Sequence, residues 1–272
     1  MGCVRDYREI EQRLQALPRR EWRVESVARV WGYGFFCVRR EIDQRAETVL
    51  VTAGIHGEEP GGVEGALRWL ESGEWAKWRV NWFMLPCINP YGWERNQRRN
   101  AQGRDINRQF RNPAVCPEAQ LVRKLVKGRR FLFVLDLHED VDSPGYYLYE
   151  LCQEPPFIGE RIVAAVGRVI PINRDKVIDG TRATGLGLIR REGNPARLKQ
   201  RPRWPMAYHL FLNGCRHIVG SETPVNLPLR LRARAHNVAL RTALSALASR
   251  RQAGHFSCSA SRQRVTVRSC VD

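Results

Sequence analysis

The sequence predicts an α/β fold in which a mostly parallel or mixed twisted sheet carries helices on both faces. Short apolar, β-branched runs of the kind that form buried strands alternate with segments whose apolar residues recur at helical spacing. The chain has 272 residues, of which 43% are hydrophobic, so it can bury a substantial core. We therefore expect one main domain.

The elements can be assigned in chain order. Residues 7–17 carry apolar side chains at helical spacing, and Pro18 ends this peripheral helix. The run TVLVTAGI at 48–55 predicts a buried strand, and Pro60 opens the helix that follows it. Further strands are predicted at 80–88, 131–137 and 217–220, and further helices at 118–126, 158–169 and 229–248.

Three ranges describe the predicted organisation. Residues 1–45 are an N-terminal helix and a lead-in segment of the same domain, and residues 46–248 are the main domain. Residues 249–272 are rich in Ser, Arg and Gln with few large apolar side chains, so we expect a poorly ordered tail.

The charge of the chain is unusual. The formal net charge is +17, and only five of the 45 basic residues are lysines. The arginines are scattered along the chain without a recognisable nucleic-acid module, which favours compositional bias over a nucleic-acid surface. No apolar stretch resembles a signal peptide or a membrane span, so we expect a cytoplasmic protein without membrane association.

Two histidines stand out by their context. His56 follows the strand at 48–55 and precedes Glu59 by three residues, and His138 ends the apolar run FLFVLDLH. The carboxyl ends of parallel strands meet at one edge of a sheet, where binding sites form. Two imidazoles and one carboxylate are a donor set that zinc takes in hydrolases, with a fourth position left for water. The sequence therefore predicts one zinc ion held by His56, Glu59 and His138.

The segment NPYGWERNQRRNAQGRDINRQF at 89–110 makes the prediction more specific. Together with HxxE, a strand-terminal His and a late Glu, it resembles the zinc metallocarboxypeptidase family, in particular compact bacterial members of the carboxypeptidase A-like enzymes. Those motifs follow the family order across residues 46–225. The resemblance implies a zinc carboxypeptidase-like fold and makes 46–248 the catalytic zinc peptidase domain.

The resemblance also implies roles for individual residues. Asn107 and Arg108 would bind the terminal carboxylate of a peptide, which suits the two-pronged contact that a guanidinium makes with a carboxylate. Arg98 would stabilise the developing oxyanion, with Arg99 as the alternative, and Asp105 would orient a zinc-bound imidazole.

A late carboxylate completes the implied machinery. Glu222, in the segment VGSETP, would be the general base that acts on a metal-activated water. Many enzymes of the family also use a mobile tyrosine, and Tyr208 is available for that role, although nothing around it in the sequence assigns one.

We therefore predict a zinc-dependent metallocarboxypeptidase that hydrolyses the C-terminal peptide bond of a peptide or of a small carboxylate-bearing substrate. The first alternative is a zinc-dependent N-acyl amino acid deacylase of the succinylglutamate desuccinylase and aspartoacylase type. The NPxG turn and the RxNxxG stretch favour the peptidase. The second alternative is a non-catalytic protein that binds carboxylates or nucleic acid. Arginines that reach the cleft would favour acidic substrates.

Overall fold

The structure is a computed structural model that describes residues 5–111, 113, 116–155 and 157–260. It contains one large sheet and a small two-stranded sheet. The strands are β1 (Arg23–Val30), β2 (Tyr33–Arg40), β3 (Thr48–Ala53), β4 (Asn81–Leu85), β5 (Phe133–Asp140), β6 (Tyr147–Cys152), β7 (Val177–Ile178), β8 (Thr181–Arg182), β9 (Leu188–Glu192) and β10 (His217–Pro224).

Eight α-helices connect and cover these strands within the described ranges. They are α1 (Tyr7–Gln15), α2 (Pro60–Glu71), α3 (Pro90–Glu94), α4 (Pro117–Val126), α5 (Gly159–Val166), α6 (Pro195–Gln200), α7 (Met206–Leu212) and α8 (Leu229–Ala260).

The large sheet has eight strands in the order β1-β2-β4-β3-β5-β10-β6-β9. The central strands β4, β3, β5 and β10 run parallel to one another. Antiparallel strands flank them, with β2 beside β4 and β6 beside β10. This mixed α/β sheet confirms the predicted fold class.

Alternation along the strands divides the core into two layers. In β3, Val49 and Val51 face a layer built from α1, α2, α5 and α8, whereas Leu50 faces a layer with α4, α6 and α7. In β5, Val134 faces the second layer. Because side chains on a strand alternate with a period of two, Asp136 and His138 lie on that same face.

The structure corrects several predicted boundaries. The hairpin β1–β2 lies within residues 1–45, for which only a helix and a lead-in segment were predicted, and β6 was not predicted as a strand. The strand predicted at 217–220 continues to Pro224, so Glu222 lies within β10 and not beyond its end. His138 likewise lies within β5.

The helix α8 extends beyond the predicted boundary at 248 to Ala260. It therefore includes residues 249–260, which the sequence analysis assigned to the tail, and residues 261–272 of that tail lie outside the described residues. In the described part of the chain, no helix combines the length and the hydropathy needed to cross a membrane.

Candidate metal centre and active site

The turn that carries His56 and Glu59 is held against the NPYG turn. A Cβ atom on Gly57 would overlap the backbone of Gly92, so only glycine allows this approach. Asn89 caps α3 by accepting a hydrogen bond from Gly92 N (2.9 Å), and its Nδ2 donates to Arg98 O at 3.2 Å. The two sequence motifs therefore meet because their glycines pack against each other.

The structure brings His56, Glu59 and His138 together into one buried cluster. Nδ1 of His56 lies 2.6 Å from Glu59 Oε1, and Nδ1 of His138 lies 2.9 Å from Glu59 Oε2. The three residues offer one ligand atom each, and these atoms lie within 4.8 Å of one another. Both imidazoles therefore direct the same ring nitrogen towards one carboxylate.

A carboxylate lies close to the Nε2 atom of each of the two imidazoles. Asp136 Oδ2 lies 2.9 Å from His138 Nε2, and its Oδ1 accepts a hydrogen bond from the Thr52 hydroxyl at 2.7 Å. Asp105 Oδ1 lies 3.3 Å from His56 Nε2, although without the alignment of a hydrogen bond. Metal-binding histidines usually have such a carboxylate partner, which fixes the ring and its tautomer.

This donor set fits a metal ion. Nitrogen and carboxylate ligands within a few ångströms of one point match the preferences of zinc. The charges of His56 and His138 hold the pKa of the buried Glu59 carboxyl down at about 2, against the opposing effect of burial. The carboxylate is therefore ionised at neutral pH and available to a cation.

Asp136→Asn is expected to weaken zinc binding by about 10- to 100-fold, the usual effect of removing such a partner. The neutral amide of Asn cannot offer a charged acceptor to the His138 Nε2–H group. The imidazole of His138 therefore becomes less firmly oriented and less basic. Competition titration against a chromogenic chelator measures the change. Thr52→Val, which removes only the support of Asp136, should weaken binding less. Unchanged affinity in Asp136→Asn would show that Asp136 does not support a ligand.

Glu222 lies on the strand next to His138. The parallel register pairs Glu222 with His138, and the antiparallel register pairs Glu222 with Tyr147, so the three side chains share one face. Burial raises the pKa of Glu222 to about 8, and the nearby Glu59 also raises it, whereas the charge of His138 opposes the rise. A general base works best with a pKa near the working pH.

A buried network supports the opposite face of the same strands. Ser221 and Thr223, which flank Glu222, lie 3.0 and 3.3 Å from the two ring nitrogens of His236 in α8. Glu139, next to His138, accepts hydrogen bonds from Arg232 Nη1 at 2.5 Å and from Gly61 N at 2.6 Å. The helix α8 therefore links the strand segments that carry Glu222 and His138.

The buried His236 is expected to make the stability of the fold sensitive to acid. Burial lowers its pKa to about 3 in the folded chain, against about 6.5 in an unfolded chain. The unfolded state therefore binds an extra proton between these values, and stability that is present above pH 6.5 is lost as the pH falls. Linkage gives about 2 kcal/mol lost at pH 5 relative to pH 7.5 from this residue.

Urea unfolding at both pH values tests this expectation. The variant His236→Gln should be less stable at pH 7.5 but should show a smaller drop towards pH 5 than the wild type. The exposed Arg168→Gln serves as a control whose pH dependence should match the wild type. An equal drop in wild type and His236→Gln would contradict the assignment.

Arg98 reaches the cluster and Arg99 does not. Arg98 Nη1 lies 3.7 Å from Glu59 Oε1, and its Nη2 lies 3.2 Å from Asp105 Oδ2. Arg99 instead donates to Gly103 O at 2.9 Å in its own loop. The structure therefore separates the two arginines between which the sequence left a choice.

Asn107 and Arg108 follow Asp105 in the same loop. Asn107 is buried, and its Oδ1 accepts a hydrogen bond from Met206 N at 2.8 Å, which leaves Nδ2 as the atom that can donate to a ligand. Arg108 is exposed and bonds only to Asn107 O at 2.9 Å among the described residues. Both side chains therefore retain donors for an anion.

Tyr208 lies in α7, and its hydroxyl accepts a hydrogen bond from Arg191 Nη1 at 2.9 Å. Arg191 also lies over the ring of Tyr149, at 5.5 Å from its centroid, and the ring of Tyr149 lies 5.7 Å from that of Tyr147. A chain of contacts thus joins Tyr208 to the side chain next to Glu222. Tyr208 is held in place by these contacts, and no role in a reaction is assigned to it.

Sequence reasoning missed four residues that organise the site. Asp136 could have been found, because it lies two residues before His138 on a strand and therefore on the same face. Glu139, Arg232 and His236 act through contacts between α8 and two strands, for which the sequence contains no local signal.

Comparisons with known proteins agree with this geometry. Residues 45–174 match the family model described as the succinylglutamate desuccinylase/aspartoacylase catalytic domain. The matched range includes the three candidate metal ligands and ends before Glu222. No curated protein matches the sequence significantly.

Solved structures share the fold over most of the chain. A protein from Shewanella amazonensis, provisionally named a metallopeptidase, is 26% identical, with 89% of this chain and 91% of that chain covered and a TM-score of 0.71. A protein of the same provisional name from Shewanella baltica has the same identity and coverage and a TM-score of 0.73. Carboxypeptidase A from Helicoverpa armigera is 16% identical over 89% of this chain and 74% of that chain, with a TM-score of 0.63, and shows the fold alone.

Proposed function

For this chain of the zinc carboxypeptidase-like superfamily, we propose a zinc-dependent metallocarboxypeptidase activity that releases the C-terminal residue of a peptide. The observation that carries the proposal is the surroundings of the His56–Glu59–His138 cluster. A carboxylate, Glu222, lies on the adjacent strand, and a guanidinium, Arg98, reaches the cluster from the facing loop.

The chain's own residues supply most of the chemistry. When bound, zinc supplies a Lewis acid that polarises the scissile carbonyl and lowers the pKa of water. Glu222 takes a proton from the attacking water and passes it to the leaving amine. Arg98 stabilises the negative charge that develops on the carbonyl oxygen, since its guanidinium stays charged at neutral pH.

The leaving residue is held by its carboxylate. Arg108 binds this carboxylate through two parallel N–H groups, and Asn107 adds a donor from Nδ2. The bond from Met206 N to Asn107 Oδ1 fixes the amide, so the donor is oriented before the substrate arrives. These contacts select a substrate whose scissile bond lies next to a free carboxylate.

A second candidate function is N-acyl amino acid deacylation. The match of residues 45–174 to the succinylglutamate desuccinylase/aspartoacylase model favours it. The two reactions break the same type of amide bond beside a carboxylate. They differ in the acyl side, which is a peptide in one and a small acyl group in the other.

A substrate series with a constant leaving residue tests the proposal. Acetyl-, succinyl- and benzyloxycarbonylglycyl derivatives of the same amino acid are compared by kcat/KM on zinc-loaded protein. The peptidase proposal predicts the highest value for the glycyl derivative. Hydrolysis of only the acetyl or succinyl derivative would instead establish the deacylase.

Arg108→Gln provides a second check within the same series. Loss of the charged contact should lower kcat/KM by about 10- to 100-fold, which corresponds to about 1.5–3 kcal/mol for a hydrogen bond to a charged group. Arg168→Gln, on an exposed position of the chain, is the matched control and should leave kcat/KM unchanged. An unaffected Arg108→Gln variant would remove Arg108 from the carboxylate site.

A further inference from the structure

A cysteine, a histidine and a glutamate form a second buried cluster, far from the candidate metal centre. Cys152 is the last residue of β6 and His217 is the first residue of β10, and the antiparallel register pairs them directly. Glu150 lies two residues before Cys152, so all three side chains share one face of the sheet. Glu222 lies five residues further along β10, which is about 17 Å away at the usual rise per residue. The cluster is therefore separate from the candidate active site.

The carboxylate of Glu150 fixes the ring of His217. Glu150 Oε1 lies 2.9 Å from His217 Nε2 and also accepts a hydrogen bond from Ile158 N at 2.7 Å. Its other oxygen, Oε2, accepts a hydrogen bond from Arg190 Nε at 3.0 Å. The ring of Phe133 packs edge-on against the imidazole, with 5.6 Å between the ring centroids. A carboxylate held in this way orients an imidazole and stabilises its charged form, as the third member of a catalytic triad does.

The atom of His217 that remains available is Nδ1. The residue is only 4% exposed, yet its Nδ1 has no well-aligned hydrogen-bond partner among the described residues. Leaving a buried polar atom without a partner is costly. Because Nε2 faces Glu150, Nδ1 is the ring atom left for the sulfur of Cys152 on the neighbouring strand. A thiolate at Cys152 would supply the missing partner.

Cys152 differs from the other four cysteines whose side chains the structure describes. Burial raises the pKa of each of those thiols, namely Cys37, Cys87, Cys116 and Cys215. Burial also opposes ionisation of Cys152, but the interaction with His217 outweighs this effect and holds the pKa of Cys152 below its usual value. Cys152 is also the most exposed of the five, at 5%, and it precedes the exposed Gln153. It is therefore the thiol best placed to ionise and to meet a small reagent.

These contacts are those of a thiolate paired with an imidazolium. Although burial alone would lower the pKa of His217, its contacts with Cys152 and Glu150 raise it above the usual value. The thiolate is the nucleophilic form of cysteine, and a neighbouring protonated histidine favours it. We propose that Cys152 is a peroxide-reactive thiol, which hydrogen peroxide converts to a sulfenic acid. Hydrogen peroxide is hardly larger than two water molecules, so a slightly exposed sulfur is within its reach.

The residues of the cluster balance the reaction. The sulfur of Cys152 attacks one peroxide oxygen, so that an S–O bond forms while the O–O bond breaks. The sulfur is oxidised by two electrons and the peroxide is reduced. The leaving hydroxide takes the Nδ1 proton of His217 and departs as water, which leaves a neutral imidazole. Glu150 acts only through the ring of His217 and is a positioning residue.

Two other roles fit the cluster less well. A buried free cysteine often serves only as a small apolar packing residue. Packing alone, however, does not call for the buried Glu150 or for the unpaired Nδ1 of His217. In the described part of the chain, the only group of side chains close enough together to hold a metal ion is the one that contains His56. A reactive thiol therefore accounts for more of these contacts than packing or metal binding does.

Site-resolved labelling tests the proposal. Zinc-loaded protein is treated with hydrogen peroxide at pH 7 in the presence of dimedone, which reacts with sulfenic acids, and mass spectrometry after digestion locates the label. Cys152 should be labelled about 10-fold or more faster than the other four thiols, because an ordinary thiol is only about a few per cent ionised at this pH. The preference should vanish in urea, where the cluster is lost. Equal labelling of the five thiols in the folded protein would overturn the proposal.

His217→Gln tests the partner of the thiol. Glutamine cannot carry the proton, so labelling of Cys152 should fall about 10-fold. Cys215→Ser is the matched control, since it removes a buried thiol that lies 3.5 Å from His217 O and leaves the imidazole in place. It should retain the wild-type labelling of Cys152. Labelling of Cys152 that His217→Gln leaves unchanged would contradict the proposal.

The two measurements are independent of the proposed hydrolysis, because the readout is a label on one sulfur and not the release of an amino acid. If thermal unfolding shows that His217→Gln does not fold, the comparison of the five wild-type thiols still decides the question.

Discussion

Glu222→Gln is expected to lower kcat by about 10²- to 10⁴-fold, the range for removal of a general base, with the zinc content unchanged. The amide has the same shape as the carboxylate but cannot accept the proton of the attacking water. Residue 222 lies opposite His138 in the β5–β10 register, so its side chain is beside the cluster. Glu222 is not one of the three candidate metal ligands. Steady-state kinetics on a blocked dipeptide and metal analysis by mass spectrometry measure the two quantities.

The control for this variant is Glu160→Gln, because Glu160 is largely exposed and pairs only with Arg190 among the described residues. It should retain the wild-type kcat. If Glu222→Gln retained more than about half of the wild-type rate, another group would have to be the base. If it lost its zinc, the effect on rate would no longer report on proton transfer.

His138→Ala is expected to abolish both zinc binding and activity. The substitution leaves only His56 and Glu59 of the three candidate ligands and removes the partner of Asp136 from a buried position. Zinc should stabilise the wild type by about 2.7 kcal/mol at 100-fold excess over its dissociation constant and should not stabilise the variant. Thermal unfolding with and without added zinc measures this difference.

His209→Gln is the matched histidine control. Burial lowers the pKa of His209 to about 4, so this ring is neutral at pH 7, and it lies in α7 outside the cluster. This variant should bind zinc as the wild type does. Stoichiometric zinc in His138→Ala, or loss of zinc in His209→Gln, would contradict the assignment of the ligands.

The parts of the fold that the sequence predicted are those with strong local signals. The run at 48–55 and the run at 131–137 are continuous and apolar because β3 and β5 are buried on both faces. The hairpin β1–β2 has a weaker strand pattern in the sequence. β1 lies at the edge of the sheet, and most of its residues are partly or fully exposed, so its sequence lacks a buried stripe.

The residues of the candidate site also differ in how far the sequence predicts them. His56, Glu59 and His138 could be grouped because each follows or ends a predicted strand, and the spacing in RDINR placed Asp105, Asn107 and Arg108 in one loop. The role of Asn107 in holding Met206 could not be predicted, since it joins residues 99 positions apart.

Long-range contact also explains what the charge analysis missed. The arginines are scattered along the sequence, and compositional bias was a sufficient account of their number. Only the folded chain shows that five arginines line one cavity, namely Arg99, Arg104, Arg108, Arg111 and Arg203. The contact between His236 in α8 and Ser221 in β10 spans only 15 positions, but it depends on how the helix packs against the sheet, which the sequence pattern does not indicate.

Hydrolysis of a single peptide in two terminal forms tests the central claim most directly. Zinc-loaded wild type and Glu222→Gln are incubated with a blocked dipeptide that has a free terminal carboxylate and with its terminal amide. Mass spectrometry should show release of the terminal residue from the free carboxylate by the wild type alone, with little or no cleavage of the amide. Equal cleavage of both forms, or equal rates for wild type and Glu222→Gln, would contradict a metal-dependent carboxypeptidase that recognises the carboxylate.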